Sequence, residues 1–199
     1  SSAGVINLAG GDFTINSVAA DINGVVLDPY CGIRDLSLGI LRATSEHYQE
    51  DALRVLRGMQ FCGRFCLTAD NATVNMSRKM FNEGISISPE RVREEWMKWA
   101  LKSTSPSYGL GFLSDSHWTR MYPEIHALEG LMQDEEWHPE GTVFTHTALV
   151  CDAAARIAVR DNLNEWDRTV LMFAALCHDM GKATTTSVID GRIRSPGHA

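Results

Sequence analysis

The sequence lacks the features that mark membrane, secreted and disulfide-stabilised proteins. Its hydrophobic runs are short and broken by charged residues, so we expect no membrane-spanning segment. The N-terminus has no basic stretch followed by an apolar one, which argues against a signal peptide. The five cysteines are odd in number and form no Cys-x-x-Cys pair. We therefore expect a cytosolic protein whose cysteines are reduced and mostly in the core.

Internal repeats, low-complexity tracts and an overall basic charge are missing as well. The 199 residues carry a net charge of −7, which argues against nucleic-acid binding over the whole surface. The charge is uneven, however, because residues 42–102 hold ten Lys and Arg against eight Asp and Glu. This pattern predicts either a local face for an RNA strand or ordinary solvated helix surface. With 44% hydrophobic residues, the chain can form one or two globular domains.

The hydrophobic pattern is helical from about residue 45 onward, and the part before it is β-prone. Asn23-Gly24 separates two β-prone runs, which is typical of a hairpin. Pro89 predicts a helix start, and Gly181 is expected to end a helix in the left-handed conformation. The tail after residue 184 has no regular pattern. We therefore predict a mainly α fold with a small β-hairpin near its N-terminal end.

Residues 46–65 are predicted to form one long helix with an apolar face and a charged face. On the charged face, Asp51 and Arg54 can offer acceptors and donors to a planar base edge. Ordinary surface ion pairs three and four residues apart explain the same spacing. Phe61 and Phe65 fall on the charged side, which suits either an inter-element groove or a platform on which bases stack.

A His-Asp pair at the end of the last strongly apolar helix is the second chemically informative pattern. His178 and Asp179 can direct their side chains to one point, and His146 on the preceding Ala-rich helix is the natural third ligand. His198 is a further candidate. Such a set can bind a divalent cation that activates water for phosphoester hydrolysis. A histidine that interacts with the helix dipole would explain an isolated pair equally well.

Six motifs follow one another along the chain. They are Asp12-Phe-Thr-Ile-Asn-Ser17, Asp28-Pro29 with Gly32, Asp35-Leu36, Gly39 and Leu41-Arg42, then Glu50-Asp51-x-x-Arg54-x-x-Arg57, Ser88-Pro-Glu-Arg-Val-Arg-Glu-Glu95, Trp137-His-Pro-Glu-Gly-Thr-Val-Phe-Thr-His146 and His178-Asp179-x-Gly181-Lys182. Together they resemble the class II tRNA nucleotidyltransferase and bacterial poly(A) polymerase family, in the bacterial arrangement that carries an HD domain. The sequence differs from that family at Gly10-Gly11, where two arginines are usual, and at Thr142, where Asp is usual.

The resemblance implies three parts. Residues 1–44 would be the remnant of a mixed α/β nucleotidyltransferase head, 45–136 a helical neck, and 137–199 the start of an HD-type helical domain. The implied reaction adds CMP and AMP, from CTP and ATP, to an RNA 3′ end such as the CCA end of tRNA. Poly(A) addition, an HD metal-dependent phosphohydrolase and a non-catalytic RNA-binding module remain alternatives. The sequence indicates no membrane partner and no oligomeric state.

The resemblance also implies a nucleotide site. Asp51 and Arg54 would read the base edge of CTP or ATP, Glu50 and Arg57 would hold that pair or meet the triphosphate, and the remaining residues would line the pocket. The predicted nucleotide-binding residues are Asp12, Asn16, Glu50, Asp51, Arg54 and Arg57.

Metal ions are implied at two places. The two Mg²⁺ ions of polymerisation would sit on carboxylates upstream of residue 1, so no residue of this chain is expected to be catalytic for polymerisation. We accordingly expect a fragment, or a chain with missing segments. A divalent transition metal or Mg²⁺ would bind at the HD site. The predicted ligands are His146, His178, Asp179 and His198.

Overall fold

The computed structural model describes residues 12–84, 86–134, 136, 138–189 and 192–197 of this chain. These residues form nine α-helices, namely α1 (Gly32–Ser37), α2 (Leu53–Phe65), α3 (Asn71–Asn82), α4 (Pro89–Lys102), α5 (Pro106–Asp115), α6 (Pro123–His126), α7 (Val143–Arg160), α8 (Glu165–Cys177) and α9 (Lys182–Thr185). Single 3₁₀ turns lie at Thr14–Asn16, Glu46–Glu50 and Trp118–Met121. The predicted mainly α fold is therefore confirmed.

Six short strands pair two by two in the described part. They are β1 (Ala19–Ala20), β2 (Val26–Leu27), β3 (Ile40–Leu41), β4 (Thr68–Ala69), β5 (Ser187–Ile189) and β6 (Arg192–Arg194). β1 and β2 form the predicted hairpin, with Gly24 at φ +81° in its turn. β3 and β4 are parallel. β5 and β6 form an antiparallel hairpin, so the expectation of an irregular tail is wrong.

Two helix boundaries differ from the sequence prediction. Residues 46–65 are not one helix, because Asp51 has extended backbone (φ −138°, ψ 110°) between the 3₁₀ turn and α2. The Asp51 carboxylate accepts the Leu53 N–H at 3.0 Å, and this local bond favours a new helix start over a continuous helix. Gly181 has φ −63° and ψ −21°, so it is not a left-handed cap. Single turns lead from His178 to α9 instead.

Helix α2 lies at the centre of the fold and packs against α4 and α5, while α7 packs against α5 and α8. The apolar side of α2 is fully buried, as the periodicity predicts; it includes Val55, Leu56, Met59 and Cys62. Helix α8 in turn packs against α4. The two halves of the chain therefore share one hydrophobic core in the described residues.

Gly109 lets α5 approach the backbone of α2. A Cβ atom at this position would lie 2.5 Å from the Met59 carbonyl oxygen, and that backbone has no rotamer with which to move away. We expect Gly109→Ala to lower the free energy of unfolding by about 1–3 kcal/mol, because overpacking forces the helices apart. Gly111→Ala on the same helix meets no atom within 4 Å. It should raise stability by up to about 1 kcal/mol through helix propensity.

Urea unfolding monitored by circular dichroism measures both variants. The comparison separates a packing effect from a propensity effect, because both substitutions add the same methyl group to α5. Equal stabilities of the two variants would contradict the close contact between α2 and α5.

Only some of the cysteines lie in the core as predicted, while three of the tryptophans are buried. Cys62 and Cys151 are buried, but Cys31, Cys66 and Cys177 are exposed, so the expectation that most cysteines lie in the core is wrong. Cys31 and Cys66 occupy left-handed positions next to helix ends, where the chain turns at the surface. Trp96, Trp99 and Trp118 are buried, whereas Trp137 lies outside the described residues. None of the described helices has the length and apolar content that a bilayer span needs.

Candidate functional site

A buried carboxylate joins the first motif to the arginines of α2. Asp12 is 5% exposed, and its Oδ1 lies 2.9 Å from Arg54 Nε. Its other oxygen, Oδ2, accepts a hydrogen bond from Arg57 Nη1. Two guanidinium groups thus share one carboxylate. The structure brings together three of the six predicted nucleotide-binding residues, although 45 positions separate Asp12 from Arg57 in sequence.

The position of Asp12 is set by the backbone around it. The Thr44 N–H donates to the Asp12 carbonyl (3.2 Å), and the Thr14 N–H donates to the Arg42 carbonyl (2.9 Å). The Asp35 carboxylate accepts from Thr14 Oγ1 at 2.7 Å and from Arg42 Nε at 3.0 Å. Burial opposes ionisation of Asp35, but these hydrogen bonds outweigh it and hold its pKa below the ordinary value. The first motif is therefore held firmly beside α2.

Helix α4 supplies a second charged layer against α2. Glu95 is 1% exposed; its Oε1 accepts from Lys98 Nζ at 2.9 Å and lies 3.9 Å from Arg57 Nε. One turn earlier, Arg91 Nη2 donates to Asp51 Oδ2 at 2.6 Å. Burial works against ionisation of Asp51, yet the Arg91 and Leu53 hydrogen bonds lower its pKa. Asp51 is thus held as an oriented anion by a residue that sequence reasoning did not assign.

Glu50 and Asn16 point elsewhere in the structure. Glu50 pairs with His47, at 2.6 Å between Oε1 and Nδ1, in an exposed turn. The Asn16 side chain accepts the Phe13 N–H at 2.9 Å and so closes its own 3₁₀ turn. In the described residues neither side chain forms a hydrogen bond or ion pair with Asp12, Arg54 or Arg57. The pKa of Glu50 is lowered mainly by its bond to His47, and the Arg54 charge contributes.

The aromatic residues of α2 extend a row of rings from the core to the surface. The ring centroids of Phe13 and Phe61 are 5.9 Å apart, and those of Phe61 and Phe65 are 6.0 Å apart. Phe65 is 41% exposed, and the Arg64 guanidinium lies 4.8 Å from its ring centre. Phe61 therefore fills an inter-element groove, the first of its two predicted roles, and Phe65 keeps an accessible ring.

The three described ligands of the predicted metal site converge at the start of α7 and the end of α8. Asp179 Oδ2 lies 3.1 Å from His178 Nε2 and 3.7 Å from His146 Nε2. The ligand atoms of all three residues lie within 4.8 Å of one another. Thr142, in place of the usual Asp, caps α7 by accepting the Thr145 N–H. His198 lies outside the described residues.

These separations fit one divalent ion. Ligand atoms about 2.0–2.2 Å from a tetrahedral ion lie roughly 3.4 Å apart, which is close to the observed distances. His178 donates its Nδ1–H to the Ala175 carbonyl at 2.7 Å, and His146 Nδ1 lies 2.7 Å from Glu140 Oε1. Each acceptor fixes the proton on Nδ1 and leaves Nε2 with a lone pair directed at Asp179. Two imidazoles and a carboxylate suit a transition metal better than Ca²⁺.

The charges around this site favour ionised carboxylates. Burial raises the pKa of Asp179, but the Lys182 ammonium outweighs burial, so the pKa falls below its ordinary value. Lys182 Nζ lies 2.8 Å from Asp179 Oδ2. The pKa of Glu140 drops to about 2, because its own backbone N–H and then His138 and His146 bond its carboxylate. Both acids are therefore anions at neutral pH, the form that a cation requires.

Sequence reasoning missed several residues that complete the two sites. Arg91 and Glu95 lie in the motif at 88–95, and His138 and Glu140 lie in the motif at 137–146, but the sequence predicted no role for them. Their helical or near-neighbour spacing offered a signal: His138, Glu140 and His146 form a second group of ligand-type side chains. Gln133 had no such signal, because it acts through a contact with Lys182, 49 residues away.

The sequence and the fold of this chain are similar to those of known proteins. Residues 143–198 match the family described as HD domain. The multifunctional CCA protein of Laribacter hongkongensis (strain HLHK9) is 38% identical over 203 residues, which cover 97% of this chain and 48% of that protein. The chain spans about half the length of the curated relatives it matches.

Solved structures share the fold. One, described as a tRNA-processing enzyme in an apo form, is 23% identical with a TM-score of 0.57, over 88% of this chain and 50% of that one. Another is a tRNA nucleotidyltransferase complexed with a primer tRNA and an incoming ATP analogue; it is 20% identical with a TM-score of 0.51, over 84% of this chain and 56% of that one. The resemblance drawn from the six motifs is thus confirmed: the chain is homologous to multifunctional CCA proteins over about half of their length, and it contains a match to the HD domain.

Proposed function

We propose that this chain provides the nucleotide-selecting and RNA-facing part of an enzyme that adds CMP and AMP to the CCA end of tRNA. The observation that carries the proposal is the buried Asp12 carboxylate, which joins Arg54 and Arg57 of α2 into one cluster. The relatives' names, and structural neighbours that hold primer tRNA with an ATP analogue or CTP, support tRNA, CTP and ATP as partners.

The charges of the site support selection by hydrogen bonding. Asp51 offers an ionised acceptor that Arg91 holds in place. Arg54 pairs with Asp12 through Nε and donates to the His47 carbonyl through Nη1, and its guanidinium has further N–H groups to offer. A fixed acceptor next to a fixed donor can pair with the edge of a cytosine or an adenine, as another base would. In this proposal Arg57 holds the pair or meets the triphosphate. Glu50 shares that role, and Asn16 lines the pocket, once their side chains leave His47 and the Phe13 N–H.

We also propose that the chain divides into a head (1–44), a neck (45–136) and an HD part (137–199). Residues 1–11 of the head lie outside the described residues. A cytosolic location stays a prediction. The Mg²⁺ ions of polymerisation are likewise proposed from the family, on carboxylates that are not among these 199 residues.

Calorimetric titration of the full chain with CTP and with ATP tests the nucleotide site. We expect Arg54→Ala to weaken binding of both nucleotides about 10–100-fold, because charge-assisted hydrogen bonds contribute about 1.5–3 kcal/mol. Arg93→Ala, which removes an exposed guanidinium from α4, should leave both affinities unchanged. Unchanged binding in Arg54→Ala, or no binding by the wild type, would refute the proposed site. Binding of ATP without CTP would favour the poly(A) alternative instead.

A second function is favoured by the convergence of His146, His178 and Asp179. We propose that they bind a divalent transition metal or Mg²⁺, and that the HD part hydrolyses phosphoesters. When bound, the ion would lower the pKa of a coordinated water and so supply a nucleophile. The chain's own contribution is to direct two Nε2 lone pairs and one buried carboxylate to the same point. His198 remains a proposed fourth ligand.

A further inference from the structure

The segment before α7 folds back on the helix that it precedes. We call residues 131–142 the connector; residues 135 and 137 of it lie outside the described chain. Met132 and Thr142 form an antiparallel bridge, and the Val143 N–H donates to the Leu131 carbonyl at 2.9 Å. The two ends of the connector are therefore closed against each other, and two of its polar side chains, Glu140 and Gln133, contact residues at or beside the proposed metal site.

The first of these side chains reaches His146. Glu140 Oε1 lies 2.7 Å from His146 Nδ1 and 3.0 Å from His138 Nδ1. These separations are hydrogen-bond lengths, shorter than the roughly 3.4 Å between two ligands of one tetrahedral ion. Glu140 is therefore a hydrogen-bond acceptor for two imidazoles and not itself a ligand beside His146. It fixes the ring that presents Nε2 to Asp179.

The second side chain reaches Asp179 through a lysine. Gln133 Oε1 accepts from Lys182 Nζ at 2.9 Å, and the same ammonium forms an ion pair with Asp179 Oδ2 at 2.8 Å. Gln133 is 5% exposed and Lys182 is 8% exposed. A buried ammonium needs acceptors, so losing the amide would leave Lys182 free to turn and to carry Asp179 with it.

We infer that the connector is the outer shell of the metal centre, with Glu140 as the positioning residue of His146 and Gln133 as that of Asp179. His178 needs no such support, because the Ala175 carbonyl within its own helix holds its ring. Two of the three ligands are thus held by residues that lie before the matched HD region at 143–198. The inference rests on the proposed metal site. It predicts that this site is incomplete when the chain is cut at residue 143.

Cobalt binding to the metal-free full chain tests the inference without any activity measurement. Co²⁺ is added to the wild type, Glu140→Ala, Glu140→Gln and Gln133→Ala, and its visible absorption reports both affinity and coordination geometry. We expect Glu140→Ala to weaken Co²⁺ binding about 10–100-fold and to change the absorption band, since outer-shell partners have effects of this size. Glu140→Gln keeps an acceptor oxygen and should restore part of the loss. Gln133→Ala should have the smaller effect, because it acts through Lys182.

Glu129→Gln is the matched control. Glu129 Oε2 lies 2.9 Å from His126 Nδ1, which is the same kind of contact outside the proposed site. It should leave both Co²⁺ affinity and spectrum unchanged. If Glu140→Ala does not fold, Glu140→Gln decides the test on its own spectrum. Wild-type affinity and spectrum in the Glu140 variants would overturn the inference while the metal site stands. No Co²⁺ binding by the wild type, or equal binding by His146→Ala, would overturn the metal site itself and the inference with it.

Discussion

Asp12→Asn is expected to lower the free energy of unfolding by about 2–4 kcal/mol. Removing one partner of a buried ion pair costs about 3–5 kcal/mol, because the remaining charge keeps its desolvation cost and loses its partner. Here two guanidiniums lose that partner at once. The Arg54 and Arg57 side chains are 22% and 35% exposed, however, so water screens them and the expected loss is smaller than for a fully buried pair.

Urea unfolding of the wild type and the variant measures this loss. Asp161→Asn is the control, because Asp161 forms a bidentate ion pair with Arg160 that is exposed to solvent. It should change stability little, and added salt should reduce even that change. If Asp12→Asn unfolds at the same urea concentration as the wild type, the shared carboxylate is not what holds the first motif against α2.

Nucleotide binding in Asp12→Asn separates the structural role of Asp12 from its proposed role in the pocket. If the carboxylate only holds the fold, a folded variant should bind CTP and ATP once the temperature is low enough. If it also orients Arg54, binding should remain weak in a variant that is fully folded. The second outcome is expected, because Asp12 bonds the Arg54 Nε directly.

Sequence periodicity predicted helices well where burial sets the pattern. Pro89 begins α4 as expected, and Trp96 and Trp99 face the core. The break at Asp51 escaped the pattern for a physical reason. The Asp51 carboxylate accepts the N–H of Leu53, and this bond separates the 3₁₀ turn from the start of α2. It leaves the spacing of apolar residues on either side unchanged. The spacing of apolar residues predicts which side chains are buried. It does not predict where a side chain competes for a backbone N–H.

The candidate sites divide in the same way. His178 and Asp179 are adjacent in sequence, and His146 lies on the neighbouring helix, so helix ends alone predict their convergence. The contact between Asp12 and Arg57 joins residues that are 45 positions apart in sequence. Only the family resemblance predicted that these two residues belong to one site. Glu140 and Gln133 depend on how residues 131–142 fold back, and turns of this kind leave no periodic signal. Contacts that depend on long-range folding of a loop therefore had to come from the structure.

His178→Ala is expected to abolish metal binding and any phosphodiesterase activity of the HD part. The substitution removes one of three described ligands, and the remaining imidazole and carboxylate cannot enclose an ion. The loss of affinity should exceed the roughly 10–100-fold effect of an outer-shell change. Metal content after dialysis against Co²⁺, together with hydrolysis of bis(p-nitrophenyl) phosphate, gives two independent measurements.

The design of this test rests on where His178 lies. Its side chain is partly exposed and its Nδ1–H bonds only the Ala175 carbonyl of its own helix, so alanine should leave the fold intact. His126→Ala removes an exposed imidazole from α6 and should change neither measurement. Nucleotide binding at the Asp12 cluster should also persist in His178→Ala, because its residues lie on α2 and the first motif. A variant that keeps wild-type metal content would show that the three side chains converge for structural reasons alone, through the ion pairs of Asp179 with His178 and Lys182.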